Sequence, residues 1–207
     1  MGKTIIFGGT FNPVHTGHVQ MAQAAAALPE TEELLVMPTR LPVHKFVGAA
    51  LAPAKDRMQM CRLAFSDIPG VRFSDMELVS GGKNYSITTV RALKSAQPEK
   101  NFVFLLGGDS LIHFHEWYEY RALLREIPLY VFGRGSCAPA AFEKARRALC
   151  AEGGDITVIE TEICNVSSSE IRERIQIGRP ITGLVPAPVE AYIRRHELYR
   201  EANGFDS

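Results

Sequence analysis

Six short apolar runs, alternating with helical stretches, constrain what this chain can fold into more than any other feature. Thr4-Ile5-Ile6-Phe7, Glu33-Leu34-Leu35-Val36-Met37, Val71-Arg72-Phe73-Ser74, Asn101-Phe102-Val103-Phe104-Leu105-Leu106, Leu129-Tyr130-Val131-Phe132 and Ile156-Thr157-Val158-Ile159 read as strands. Between and after them, helices are expected over 19–28, about 53–67, 86–96, 120–126, 139–151, about 168–177 and about 188–200. Such βα alternation predicts a Rossmann-like, doubly wound α/β fold. Its sheet should be mainly parallel with helices on both faces, and a helical C-terminal segment should cover about 167–200. With 207 residues and 46% hydrophobic content, one domain spanning 1–207 is the expectation.

The first strand runs directly into Gly8-Gly9-Thr10-Phe11-Asn12-Pro13-Val14-His15-Thr16-Gly17-His18, and an alanine-rich helix follows. In an open α/β sheet, ligands bind at the carboxyl ends of the strands. A helix start adds unpaired N–H groups and a partial positive charge, which together seat a phosphate. His15 and His18 are three residues apart near that seat, so both rings can face one anion. Two rival readings stand beside this one: a transition-metal pair, or histidines that only cap the helix or fill the core. The metal reading is the weaker of these, because no acidic or Cys residue accompanies the pair and the zincin spacing is four. A P-loop is excluded, since Thr16-Gly17-His18 stands where Gly-Lys-Ser/Thr is required. Gly8-Gly9 also does not begin a dinucleotide-binding Gly-x-Gly-x-x-Gly.

A formal net charge of zero offers no chain-wide attraction to nucleic acid or anionic membrane, and neither is expected as a partner. No apolar run reaches transmembrane length. Cys61, Cys137, Cys150 and Cys164 are widely spaced with no Cys-x-x-Cys, as in a cytoplasmic protein with reduced thiols.

Several blocks, in order along the chain, carry a resemblance. The Gly8 to His18 string resembles the (T/H)xGH signature of the nucleotidylyltransferase superfamily. Pro38-Thr39-Arg40-Leu41-Pro42-Val43-His44-Lys45 is similar to the Pro-Pro-His-Lys loop of bacterial nicotinate mononucleotide adenylyltransferases. Glu77 with Tyr85-Ser86-Ile87-Thr88-Thr89, Gly107-Gly108-Asp109 with Trp117, and Val166-Ser167-Ser168-Ser169-Glu170-Ile171-Arg172 resemble further blocks of that family. Leu184-Val185-Pro186, Tyr192-Ile193 and Leu198-Tyr199 look like its tail. Departures are Asn12 for a frequent Asp, Val43 for the second Pro, Ser169 for Thr, and Arg134 followed by Gly-Ser rather than Pro-Gly.

The resemblance implies transfer of the adenylyl group of ATP to nicotinate mononucleotide, with Mg²⁺ accompanying ATP. It implies catalytic roles for His15, His18, Lys45 and Arg172. The implied ATP site is Gly8, Gly9, Thr10, Phe11, His15, His18, Gly107, Asp109, Ser167, Ser168, Ile171 and Arg172. The implied nicotinate mononucleotide site is Asn12, His44, Lys45, Tyr85, Ser86, Asp109, Trp117 and Tyr118. No metal ligand set is assigned to the chain, and a homo-oligomer is compatible with it. Read without the resemblance, Ser167 and Glu170 suit an ordinary capping box as well as a phosphate grip, Asp109 at a strand's carboxyl end suits ribose hydroxyls or a magnesium ion ahead of a plain helix cap, and Trp117 reads as a core residue. Another nucleotidylyltransferase, or a non-catalytic nucleotide sensor on the same fold, is the alternative function.

Overall fold

The structure, a computed structural model, describes residues 2–40, 51–79, 84–133 and 138–200. Its strands are β1 (Lys3–Gly9), β2 (Thr31–Pro38), β3 (Val71–Phe73), β4 (Asn101–Gly107), β5 (Leu129–Phe132) and β6 (Ile156–Ile159). They form one sheet in the order β3-β2-β1-β4-β5-β6, and every neighbouring pair is parallel. The expected mainly parallel sheet is thus wholly parallel among the described strands. The order reverses between β1 and β4, which is where a doubly wound sheet opens a crevice for ligands.

The helices are α1 (Thr16–Ala26), α2 (Ala54–Phe65), α3 (Met76–Val79), α4 (Ser86–Ala96), α5 (Gly108–Ile112), α6 (Tyr120–Glu126), α7 (Pro139–Ala151), α8 (Ser168–Gln176) and α9 (Ala187–Arg195). Strand side chains alternate between two cores. Ile5, Phe7, Leu34, Val36, Val103 and Leu105 face one core, which α1, α2, α8 and α9 complete through Ala22, Cys61, Ile171 and Val189. Ile6, Leu35, Phe102, Phe104 and Val131 face the other, closed by α4, α5, α6 and α7 through Val90, Leu111, Leu123 and Leu149. Each aliphatic side chain so buried stabilises the fold by roughly 1.5–3 kcal/mol. Coverage on both faces explains why the strands are continuous apolar runs and not alternating ones.

Two differences from the sequence reading bear on function. First, α3 and α5 were not expected, because four- and five-residue helices are too short for a hydrophobic period to register. Consequently Asp109 lies in the first turn of a helix directly after β4. Second, the last helix stops at Arg195 and does not continue to about 200. Glu197 and Tyr199 take left-handed backbone angles (φ 51° and 68°), which cannot continue a right-handed helix. The chain folds back there, and the Tyr199 ring enters the first core. Among the described residues no helix is long and apolar enough to cross a membrane.

Candidate active site

The turn between β1 and α1 is built from the inside out. Phe11 adopts φ 47° and is 2% exposed, with its ring edge-on to Phe7 at 5.2 Å and to His18 at 5.0 Å. A Cβ on Gly9 would stand 3.1 Å from this ring, so Gly9 lets the phenyl tuck beneath the turn. Phe11, grouped with the ATP contacts by its place in the signature, therefore has a core side chain. Gly17 has an equally local reason: a Cβ there would meet the Cys164 carbonyl at 3.0 Å and His15 Nδ1 at 3.2 Å. Glycine lets the chain before α8 approach α1 closely.

His15 caps α1, and the cap is reciprocal. The His18 backbone N–H donates to His15 Nδ1 at 3.3 Å, while the His15 backbone N–H donates to His18 Nδ1 at 3.2 Å. The rings stack with centroids 3.6 Å apart. Because both Nδ1 atoms accept, the proton of each neutral ring belongs on Nε2. The capping reading and the anion reading of this pair are thus compatible: Nδ1 serves the helix, and Nε2–H is a donor on the opposite edge of the ring. A group of three or more His, Cys, Asp or Glu able to hold a metal is absent among the described residues.

A second helix start docks on the same turn. Ser168 Oγ donates to the Pro13 carbonyl at 2.8 Å, and Arg172 Nη1 donates to the Asn12 carbonyl at 2.8 Å. Arg172 Nη2 also reaches Ser169 Oγ at 3.1 Å. Partial burial lowers the Arg172 pKa from its ordinary value, with the guanidinium still charged at neutral pH. Ser167 caps α8 by accepting from the Glu170 N–H at 3.1 Å. Glu170's carboxylate does not complete the expected capping box; it accepts from Arg174 one turn on, at 3.0 Å. Ile171, included with the ATP contacts, is fully buried on the core face of α8. The N-termini of α1 and α8 therefore meet around Asn12 and Pro13, with His15, His18, Ser168 and Arg172 brought together.

Asn12 is 3% exposed, and its Oδ1 accepts from the Ala52 N–H at 3.0 Å. Its side chain is committed to the backbone where the chain returns to α2, although the resemblance groups it with the acceptor contacts. His44 and Lys45, and also Arg134, lie outside the described residues.

The remaining candidates gather on the other side of the sheet. Phe104 on β4 links the two sides: its ring is 3.4 Å from where a Gly8 Cβ would be, and 6.0 Å from the Trp117 ring in an edge-on contact. Trp117 is half-buried and also packs on Phe114 at 5.1 Å. Tyr118 is 48% exposed and lies against Tyr85 with centroids 4.2 Å apart. Tyr85 stands at the N-cap position of α4 without a side-chain capping bond, and Ser86 opens the helix. Gly107 ends β4, and the exposed Asp109 follows in α5. Beneath the α4 start, Glu77 is 7% exposed. It accepts from Thr89 Oγ1 at 2.7 Å, and its carbonyl accepts from the Asn84 side chain. Desolvation raises the Glu77 pKa above the usual carboxylate value.

One residue of this region was not singled out from the sequence. Arg57 on α2 is 1% exposed, and its guanidinium donates to four backbone carbonyls: Ala52 at 3.1 Å, Thr10 at 2.8 Å, Thr39 at 2.6 Å and Arg40 at 3.0 Å. The detectable signal was its place one and two helical turns before the buried Cys61 and Phe65, a stripe where a charge needs a reason.

Known proteins share this architecture and, over most of the chain, its sequence. A solved Plasmodium falciparum nicotinic acid mononucleotide adenylyltransferase, complexed with NaAD, superposes with a TM-score of 0.80 at 19% identity, over 96% of this chain and 98% of that one. At that identity the likeness concerns the fold. In sequence, the probable nicotinate-nucleotide adenylyltransferase of Symbiobacterium thermophilum is 37% identical over 203 residues, covering 96% of each chain. That of Citrifermentans bemidjiense is 35% identical over 216 aligned positions, covering 95% of this chain and 98% of its own. The cytidylyltransferase-like family model matches residues 6–174. The chain belongs to the cytidylyltransferase-like family and, within it, to the nicotinate-nucleotide adenylyltransferases.

Proposed function

We infer that the protein transfers the adenylyl group of ATP to the 5′-phosphate of nicotinate mononucleotide, giving nicotinate adenine dinucleotide and pyrophosphate. An acceptor phosphate oxygen forms a bond to the α-phosphorus as the bond from that phosphorus to the bridging oxygen breaks, and pyrophosphate departs with the electron pair. The attacking phosphate is ionised at neutral pH, so a covalent nucleophile or a strong general base is not needed. What the protein supplies is in-line placement and charge stabilisation.

The observation that carries this reading is the reciprocal histidine cap where two helix starts meet. His15 and His18 donate from Nε2–H to phosphate oxygens, held in place by the Nδ1 bonds. Arg172 adds a permanent charge already fixed by Asn12 and Ser169. Ser167, Ser168 and the N–H groups of the α8 start receive the departing phosphates, and Lys45 adds a second charge to them. Gly8, Gly9, Thr10 and Gly107 let the nucleotide approach the backbone at the switch point, where Phe11 and Ile171 shape the floor from below. Asp109 accepts ribose hydroxyls. Mg²⁺ enters with ATP: the phosphates would hold most of its coordination, with Asp109 the one carboxylate at the end of β4, and the ion would neutralise charge on the departing pyrophosphate.

The mononucleotide's pyridine ring stacks on Trp117, with Tyr85, Ser86 and Tyr118 bordering its carboxylate; His44 and Lys45 serve its phosphate, and Asn12 supports the acceptor site through its bond to Ala52. The paired rings of half-buried Tyr85 and exposed Tyr118 suit a planar ligand. Pyrophosphate release from ATP should be measured with nicotinate mononucleotide and with its amide, side by side. The expected result is rapid release with the acid and much slower release with the amide. No release with either acceptor would overturn the assignment in favour of a nucleotide-binding role.

A further inference from the structure

Arg57 is a buried cation whose guanidinium meets backbone oxygens at every hydrogen bond it makes among the described residues. A charge costs a great deal to bury, and here it is held by ring-like enclosure in neutral carbonyls. Desolvation accordingly lowers its pKa from the ordinary arginine value.

The identity of those carbonyls matters. Thr10 belongs to the histidine turn. Thr39 and Arg40 are the residues directly after β2. Ala52 lies just ahead of α2. Three stretches far apart in sequence therefore share one planar group. They are also cross-linked without it: the Thr39 N–H donates to the Gly9 carbonyl at 2.9 Å, and the Ala52 N–H donates to Asn12 Oδ1 at 3.0 Å. Asn12 in turn holds Arg172 through its carbonyl. Thr10 and Asn12 thus sit between Arg57 on one side and Arg172 on the other. Tyr199, folded in from the chain's end, lies within electrostatic reach of both guanidinium groups.

We propose that Arg57 is a positioning residue for adenylyl transfer, fixing the backbone of the histidine turn and, through Asn12, the Arg172 guanidinium against the phosphates. Lysine cannot do this, since a single ammonium cannot reach four carbonyls spread around a planar fork. Arg57→Lys keeps the charge and loses the geometry, which separates the two contributions. The proposal rests on the adenylyl-transfer reading of the site, and turnover by the unmodified protein tests that reading first and independently.

In the full-length protein, Arg57→Lys should lower kcat about 100-fold, the scale of a misplacement of about 1 Å at a reacting centre. KM for ATP and for nicotinate mononucleotide should each stay within about threefold, the signature of an effect confined to the transition state. A purely structural role would lower the melting temperature and leave kcat per folded molecule unchanged; that result, with the unmodified enzyme active, overturns the proposal. If the variant does not fold, the unmodified protein decides by NMR. The Arg57 Nε–H signal, identified by its proximity to Ala52 and Thr10, should be protected from exchange and should shift on saturation with a non-hydrolysable ATP analogue. A signal that ignores the nucleotide would refute the coupling.

Discussion

The two ends of the candidate site are built by different means. At the proposed phosphate end, four candidate side chains are already engaged with backbone: His15 and His18 each accept from the other's backbone N–H, and Ser168 and Arg172 donate to Pro13 and Asn12. At the ring end, Trp117, Tyr118 and Tyr85 are held by stacking and edge contacts, and Tyr118 remains half exposed. Hydrogen bonds to fixed carbonyls set position and direction, as charge stabilisation at a reacting phosphorus requires. Aromatic packing sets a surface, as the binding of a planar ring requires. The phosphate end should therefore govern the chemical step, and the ring end the affinity for the acceptor.

The strongest way to break this division is His18→Ala. Losing one preorganised donor should cost roughly 100- to 1,000-fold in kcat, measured as pyrophosphate release with folding confirmed by circular dichroism. Arg172→Lys keeps the charge but loses the fork that spans Asn12 and Ser169. A fall in kcat of about 10- to 100-fold is expected, with little change in KM. Trp117→Ala reverses the pattern: the KM for nicotinate mononucleotide should rise about 10-fold while kcat and the KM for ATP hold nearly constant. A kcat loss equal to that of His18→Ala would erase the distinction between the two ends.

The smallest effect concerns stability at the ring end. Glu77 has a raised carboxyl pKa in the fold because it is desolvated. The unfolded chain therefore releases this proton first as pH rises, and native stability declines from about pH 4 up to the folded-state value. Glu77→Gln removes that dependence. Its melting temperature, relative to the unsubstituted protein, should improve on going from about pH 4 to pH 7. A relative melting temperature that is flat across this range would mean that Glu77 does not titrate differently in the fold.

Much of the fold was legible because strands buried on both faces leave continuous apolar runs, and β5 and β6 fall on the residues expected. The sheet order was not, since nothing local in β4 says that it lies beside β1. At the site, the histidine spacing placed both rings at one helix start, yet the reciprocal Nδ1 bonds depend on backbone angles that spacing does not encode. Phe11 and Ile171 belong to recognisable blocks but serve them from the core, because a block records the residues that shape a loop as well as those that face a ligand. Arg57 is hard to read from sequence for the converse reason: its partners are carbonyls, which every residue has, so no matching acidic residue marks it.

The central claim is that His15 and His18 each use Nδ1 to accept from backbone and offer Nε2–H to the polyphosphate. Nitrogen-15 NMR of histidine-labelled protein, with and without a non-hydrolysable ATP analogue, tests it in the unmodified molecule. The proton of both neutral rings should reside on Nε2 before nucleotide is added, and both Nε2–H signals should shift when it binds. A proton on Nδ1 of either neutral ring, or Nε2–H signals indifferent to the nucleotide, would contradict it.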